Sequence, residues 1–389
     1  MKIGIDTFGC GHGQSGVGLY LMSLIANLPK DDNLYYHLFG SKIDKYTYIS
    51  KTGNFSYTTV SIPDSAVAEF LWHSSRCSNF VSKQGYDVTF YAGGPRYAAS
   101  SYKKPGIVVV NEVVSELPEL KNALQGLQIK NALNKCAKII AASQFIKKDM
   151  VHLGISADKI HVVHNGINHS LFYPQADFEG DIIDIKPFAI KKPYLIYASR
   201  LQSPLKKHIE LIRAFSLFKE KTGLPHRLVL AGSADSYSQQ VHEETAASPY
   251  ASDIFLTGYF PHEHLPQLYS NADACIVPSV NEGVGLPVLE AMACGIPVAC
   301  SKEGALPEIA GSHALYFDPD NLDETAAALE RIVSDKELRS KLIEGGLDWT
   351  RRFSWERTAS RTLEVILSAT KTLDTATLID LNCRQIKKP

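Results

Sequence analysis

Short apolar runs alternate with amphipathic, helix-length stretches twice along this chain, and between the two series the alternation lapses. The first series places strand candidates at 2–5, 35–39, 88–91, 107–110, 138–141 and 160–163; the second places them at 194–198, 227–231, 254–257, 274–277, 298–300 and 315–317. Strands that alternate with helices in this way form parallel sheets covered by helices on both faces. The intervening segment, 174–193, mixes charge, glycine and proline without a period and is expected to be an interdomain connection. The predicted fold class is α/β: two doubly wound, Rossmann-like parallel-sheet domains, 1–173 and 194–353, facing each other across a cleft. Ligands in such sheets bind beyond the carboxyl ends of the strands, so each rim of the cleft is expected to carry binding loops.

The bulk numbers agree with two cores. A chain of 389 residues suits two domains of about 150–200 residues each, and a hydrophobic content of 45% is enough to fill both. No apolar run reaches the ~18 residues that mark a membrane-spanning helix. The opening MKIGIDTFG reads as a first strand rather than a signal peptide, so a cytoplasmic protein is expected. Seven cysteines, Cys10, Cys77, Cys136, Cys275, Cys294, Cys300 and Cys383, contain no Cys-x-x-Cys pair and are odd in number. Buried reduced thiols are expected, with neither disulfide nor zinc.

Net charge is −1, but residues 1–170 carry 17 Lys and Arg against 12 Asp and Glu, while the remainder carries 23 against 29. A mildly basic first half suits an anionic acceptor or peripheral association with the cytoplasmic membrane face, and is also what an ordinary solvated surface shows. No basic run with interleaved aromatics appears, so nucleic acid is not an expected partner.

The densest chemistry lies at 279–297, SVNEGVGLPVLEAMACGIP. Pro287 suits the start of a helix and Gly295 a left-handed cap, which predicts a helix over 286–294. Gly283, Val284 and Gly285 then lie at its N-terminus, where unpaired N–H groups favour an anion and glycine lets a ligand approach the backbone. Glu282 precedes the glycines and Glu290 is placed in the first helical turn, so that two carboxylates flank one bound molecule. A glutamate there is also favourable through the helix dipole alone, and glycines before a helix are often only a turn.

As a whole, Glu-Gly-x-Gly-Leu-Pro-x-x-Glu-Ala-Met-Ala-x-Gly-x-Pro closely resembles the Glu-x7-Glu signature of the retaining glycosyltransferases of family 4. That resemblance implies the GT-B fold, transfer of a hexose from a nucleotide diphosphate sugar with retention at the anomeric carbon, and no metal or other cofactor. It extends over nearly the whole chain: the entrance SGVG, IIAASQFIKKDM followed by IHVVHNGINHSLFYP, and the segment YLIYASRLQSPLKKHIELIRAF. It also implies that the C-terminal helix, within 354–389, packs back on the N-terminal domain, and that the domains close over the donor.

Carried over residue by residue, the resemblance puts Glu290 on the ribose diol. Glu282 with the backbone of 283–285 would hold the donor sugar, and Gly16 and Gly18 would approach phosphate and acceptor. Arg200 and Lys206 match the family's Gly-Arg-Leu…Lys-Gly segment, although Ser199 and Lys207 replace its glycines and Lys207 is a candidate to share the role. Fixed cations there stabilise the charge that grows on a leaving diphosphate. Gly258 and Tyr259 fall beside the nucleobase.

One departure is clear: Asn111 and Glu112 stand where the family carries a His-Asp pair. Asn111 can orient a sugar by hydrogen bonds but cannot shuttle a proton. The opening KIGIDTFG resembles bacterial surface-polysaccharide mannosyl and glucosyl enzymes, which implies GDP-mannose or a UDP-hexose as donor and a saccharide or lipid-linked saccharide as acceptor.

Other constellations weigh less. Gly11-x-Gly13-x-x-Gly16 matches a dinucleotide fingerprint, but the second strand ends without the acidic residue that would bind ribose, Asp44 being a poor substitute. His262 with His264, and His161 with His164, lack a third metal ligand. Two other functions fit the same residues: a nucleotide-sugar isomerase or epimerase of the same build, and a non-catalytic sugar-nucleotide binder.

Overall fold

The structure is a computed structural model, and it describes residues 1–48, 55–176, 180–185 and 188–370. Cys383, and the part of the expected C-terminal helix beyond 370, lie outside the described residues. By its internal contacts the chain divides into two compact units, residues 1–166 with 355–389 and residues 167–354.

The first unit holds a parallel sheet of seven strands: β1 (Lys2–Asp6), β2 (Tyr35–Gly40), β3 (Phe55–Thr59), β4 (Val88–Tyr91), β5 (Gly106–Val110), β6 (Lys138–Ala141) and β7 (Ile160–Val162). Their order is β3-β2-β1-β4-β5-β6-β7, so the chain reverses its direction of travel across the sheet between β1 and β4. Helices cover both faces of the central strands, so β4 and β5 are buried at every residue, and apart from Thr89 and Gly106 they are apolar. β3 is the strand the sequence did not announce. It lies at the sheet edge, half exposed, and its Ser-Tyr-Thr-Thr run gives no apolar signal.

Helix α1 (Gly16–Asn27) follows β1, its first turn closed by Ser15, whose hydroxyl accepts from the Gly18 N–H at 3.0 Å. Helices α2 (Ala66–Ser75) and α3 (Ala123–Lys135) start in the same way, on Ser65 and Asn122.

The second unit holds a six-stranded parallel sheet: β10 (Tyr194–Ala198), β11 (Arg227–Ala231), β12 (Ile254–Gly258), β13 (Ala274–Val277), β14 (Val298–Ser301) and β15 (Leu315–Phe317), in the order β12-β11-β10-β13-β14-β15. Before it, β8 (Ile182–Ile185) and β9 (Phe188–Lys191) form an antiparallel pair inside the stretch expected as a connection. Ile183, Ile185 and Ile190 are buried, and Phe188 stacks on Phe260 at 5.6 Å. The hairpin is therefore part of the second unit's packing.

Helix α4 (His208–Thr222) follows β10, and helix α5 (Leu286–Ala293) follows β13. The last described helix, α6 (Trp355–Ser368), belongs to the first unit. Trp355 meets Tyr20 of α1 edge-on at 5.7 Å, and Leu363, Ile366 and Leu367 are buried in the core that also contains Leu21 and Leu24. Burial of each such side chain contributes about 1.5–3 kcal/mol.

The six described cysteines are all buried and unpaired. No described helix is long and apolar enough to cross a membrane.

Candidate functional site

In the second unit the sheet reverses between β10 and β13, and at such a switch point the loops after the two strands part to leave a crevice. The loop after β10 runs through Arg200 and a short turn over Pro204–Lys206; the loop after β13 runs from Ser279 to Gly285. The two are stitched together, since the Val280 N–H donates to the Leu205 carbonyl at 3.0 Å and the Ser279 hydroxyl donates to the same oxygen at 3.4 Å. A third loop, after β14, closes on them: the Ala305 N–H donates to the Glu282 carbonyl at 2.8 Å. Gly304, with φ +67°, sits so close that a Cβ would stand 2.9 Å from that oxygen.

This framework brings Lys206 and Glu282 into direct contact across 76 residues of sequence. Lys206 Nζ lies 2.6 Å from Glu282 Oε2, with each side chain 15% exposed. The other carboxylate oxygen, Oε1, accepts from the Gly285 N–H at 3.2 Å. Burial pushes the Glu282 carboxyl up. The Lys206 ammonium and the N–H groups of Gly285 and Val284 outweigh it and hold the group below its ordinary value.

Gly285 is left-handed, φ +75°, and a Cβ there would press on Ile309 at 3.1 Å. This is why glycine starts the helix. Pro287 falls in the first turn of α5, and Gly295 just past its end has φ +77°.

Glu290 corrects the sequence expectation in one respect. The first turn of α5 contains no acidic residue; Glu290 lies beyond it, so the helix dipole does not account for the carboxylate. It is 7% exposed, and both its oxygens have partners: Tyr269 OH donates to Oε2 at 3.2 Å and His262 Nε2 lies 3.4 Å from Oε1. Hydrogen bonding to Glu290 raises His262, against the opposing effect of burial. His262 thus serves a carboxylate, a role the sequence did not suggest; the only signal was its spacing from the Gly258-Tyr259 loop.

Arg200 is exposed and has no ion pair or side-chain hydrogen bond among the described residues, so it is not joined to the Lys206–Glu282 pair. Gly258 ends β12 with φ +68°, and Tyr259 is 74% exposed. Lys207 has a left-handed backbone, φ 58°, and its ammonium pairs with Glu210 and Asp320 rather than with Glu282. His208 behind it is fully buried, and burial pushes its imidazole down to about 4.

In the first unit, Gly18 has a packing reason: a Cβ there would stand 2.3 Å from the Cys10 carbonyl, whereas the same atom on Gly16 would meet open space. Asn111 follows β5, and both atoms of its amide are buried without a partner among the described residues. The neighbouring Glu112 instead grips Arg96, at 2.8 and 2.6 Å.

Sequence reasoning also missed a buried trio at the end of β1: Asp6, His73 and Cys77 bring ligand-type atoms within 4.8 Å of one another. Asp6 Oδ2 and His73 Nε2 are already paired at 3.0 Å, and His73 Nδ1 lies 2.7 Å from the Glu69 carbonyl, so the imidazole is used from both sides. His161 lies on β7 and His164 beyond its end.

Residues 15–171 match the family described as Glycosyltransferase Family 4, and residues 180–349 match the one described as Glycosyl transferases group 1. The O-antigen chain mannosyltransferase B of Escherichia coli is 29% identical over 236 residues, 60% of this chain and 61% of that protein. The MMP alpha-(1->4)-mannosyltransferase of Mycolicibacterium hassiacum is 27% identical over 61% of this chain and 55% of its own. The chain thus spans about three fifths of the curated relatives it matches.

Among solved structures, the sucrose-phosphate synthase of Thermosynechococcus elongatus superposes with a TM-score of 0.72 at 20% identity, covering 95% of this chain and 98% of that one. Anabaena HepE in complex with UDP-glucose gives 0.68 at 19%, covering 95% and 100%. At this identity they establish the fold, which is GT-B.

Proposed function

From a chain of family 4 glycosyltransferase type, with the family's two domains on its two units, we propose a retaining hexosyltransferase that uses a nucleotide diphosphate sugar. The donor occupies the switch point of the second unit. Glu290 holds the ribose diol, Glu282 and the backbone of Gly283 to Gly285 hold the sugar hydroxyls, and Arg200 and Lys206 hold the diphosphate. The donor is GDP-mannose or a UDP-hexose, in keeping with the mannosyltransferases among the relatives and the UDP-glucose bound to a structural neighbour. The acceptor is a saccharide or lipid-linked saccharide.

In the reaction, an acceptor hydroxyl oxygen bonds to the anomeric carbon as the bond from that carbon to the phosphate oxygen breaks. The hydroxyl proton passes to the leaving phosphate on the same face, and the nucleoside diphosphate departs. No enzyme nucleophile is involved and none of the site residues takes the proton. Lys206 and Arg200 stabilise the negative charge that grows on the diphosphate, worth roughly 3–4 kcal/mol for a well-placed donor. Asn111 orients a hydroxyl through its amide, whose two polar atoms have no partner among the described residues.

One observation carries the proposal: a salt-bridged Lys206–Glu282 pair sits at a switch point, directly before the N-terminus of α5. An anionic diphosphate has there a cation and a helix N-terminus together. The test is to supply GDP-mannose and UDP-glucose with alkyl glycoside acceptors and read the product by NMR. A new glycosidic bond with the donor's anomeric configuration is expected. Inverted product, or donor consumed into an isomer with no glycosidic bond, would replace the proposal.

A further inference from the structure

Asn111 has to be held by something other than its own side chain. Neither atom of its buried amide has a partner among the described residues, and an amide in that state gains by turning toward any protein donor or acceptor within reach. Its readiness for a ligand therefore depends on how firmly the adjoining backbone is fixed. That backbone is tied at both ends within the first unit. Before Asn111, the Val110 carbonyl accepts from the Ala142 N–H at 3.0 Å. After it, Asp149 Oδ2 on the helix Gln144–His152 accepts from the Val114 N–H at 2.7 Å and the Ser115 N–H at 3.1 Å.

Between those ties the chain is gripped at Glu112, the residue directly after Asn111, and the grip is Arg96. One guanidinium nitrogen donates to both Glu112 oxygens, at 2.8 and 2.6 Å, and the other donates to Glu119 Oε1 at 3.0 Å. Arg96 is itself fixed through its backbone. Its carbonyl accepts from Gln128 Nε2 at 3.2 Å, and Gln128 Oε1 accepts from the Ser74 hydroxyl at 3.0 Å. Gly94, left-handed at φ +89°, brings the loop after β4 so near that a Cβ on it would stand 3.6 Å from Glu112 Oε1. An isolated pair with side chains 32% and 38% exposed would contribute little, but here one cation is shared by two carboxylates in a network.

We propose that Arg96 is a positioning residue for the transfer reaction: through Glu112 it holds the Asn111 amide where a sugar hydroxyl can use it, and it touches no substrate itself. The assignment rests on the hydroxyl-orienting role given to Asn111 above. Displacing an orienting group by about 1 Å costs up to about a hundredfold in rate, so the clamp matters to turnover more than to binding.

The test is a double-mutant cycle of Arg96→Met and Asn111→Ala in the full-length protein, with kcat and KM measured for donor and acceptor. Arg96→Met is expected to lower kcat about tenfold while KM for the donor stays within about twofold, and Arg96→Lys, which keeps the charge, is expected to recover part of the loss. In the Asn111→Ala background, Arg96→Met is expected to change kcat by less than about twofold, because nothing is left to position. A second readout needs no turnover. The side-chain amide signal of Asn111 in the NMR spectrum, identified by its absence from Asn111→Ala, is expected to be sharp in the wild type and broadened in Arg96→Met.

Wild-type protein that transfers no sugar defeats the proposed function, and the amide signal then decides the clamp by itself. Should Arg96→Met not melt cooperatively, Glu112→Gln is read in its place with the same expectations. The positioning assignment is overturned if the folded variant turns over as wild type does, if the two substitutions lower kcat additively, or if the Asn111 amide signal is unchanged.

Discussion

Replacing Lys206 by methionine removes the ammonium while keeping most of the side chain's bulk, and it strands Glu282. Breaking a buried ion pair from one side typically costs about 3–5 kcal/mol, because the remaining charge stays desolvated. Here both side chains keep some water contact and the Gly285 N–H still serves Oε1, so a cost of about 2–4 kcal/mol at neutral pH is expected. For a unit of this size that is a fall in melting temperature of about 4–16 °C.

The pH dependence is more diagnostic than the magnitude. In the wild type the Glu282 carboxyl lies below its ordinary value, so it contributes stability above the unfolded pKa, and that contribution is lost as pH falls through the folded value. In Lys206→Met the burial effect dominates and the carboxyl rises above the ordinary range. Its charged form then destabilises the fold at neutral pH, and the penalty disappears as acid protonates it. The gap between the two melting temperatures must therefore be widest near neutrality and narrow as the buffer is taken from about pH 7 toward the carboxylate range. Thermal unfolding of both proteins across that series tests it. A constant gap, or none at neutral pH, would refute the description of Lys206 as the group that holds Glu282 ionised.

Further predictions follow from single residues. Arg200→Ala should leave the melting temperature nearly unchanged, since its side chain has no ion pair among the described residues to lose and lies in solvent, while turnover with saturating donor falls; an unaffected rate removes Arg200 from the transition state. Asn111→Ala should cost little stability, because its buried amide has no hydrogen-bond partner among the described residues, yet lower turnover; a large loss of stability would show that its amide has a structural partner. Gly285→Ala forces a left-handed backbone and a contact with Ile309, so a loss of about 1–3 kcal/mol with weakened nucleotide binding is expected by denaturation and calorimetry. His262 should titrate above its ordinary value by NMR and drop in Glu290→Gln. Its bond to Glu290 contributes stability below the unfolded pKa that is lost as pH rises through the folded one.

What the sequence discloses here is set by the range of the interactions involved. Strands buried on both faces, such as 107–110 and 274–277, announce themselves because every residue is apolar. β3 at a sheet edge and the β8–β9 hairpin, with Asp184 and Lys191 on its open face, carry no such signal. Gly285 and Gly295 are legible because left-handed backbone selects glycine locally.

The partners are another matter. Lys206 meets Glu282 across 76 residues and Tyr269 meets Glu290 across 21, pairings that only the sheet order creates. Glu290 likewise looked like a dipole-stabilised residue of the first turn until α5 fixed its position one turn further on. Lys207 invited a catalytic role by adjacency, but its left-handed backbone turns the ammonium toward Glu210 and Asp320.

Calorimetric titration of GDP and UDP into wild type and Glu290→Ala measures most directly whether a nucleotide is seated beside α5. Saturable binding of one nucleotide is expected, weakened by about 1–3 kcal/mol in the variant, the scale of lost charged hydrogen bonds. Equal affinity in the two proteins, or no binding of either nucleotide to the wild type, would contradict it.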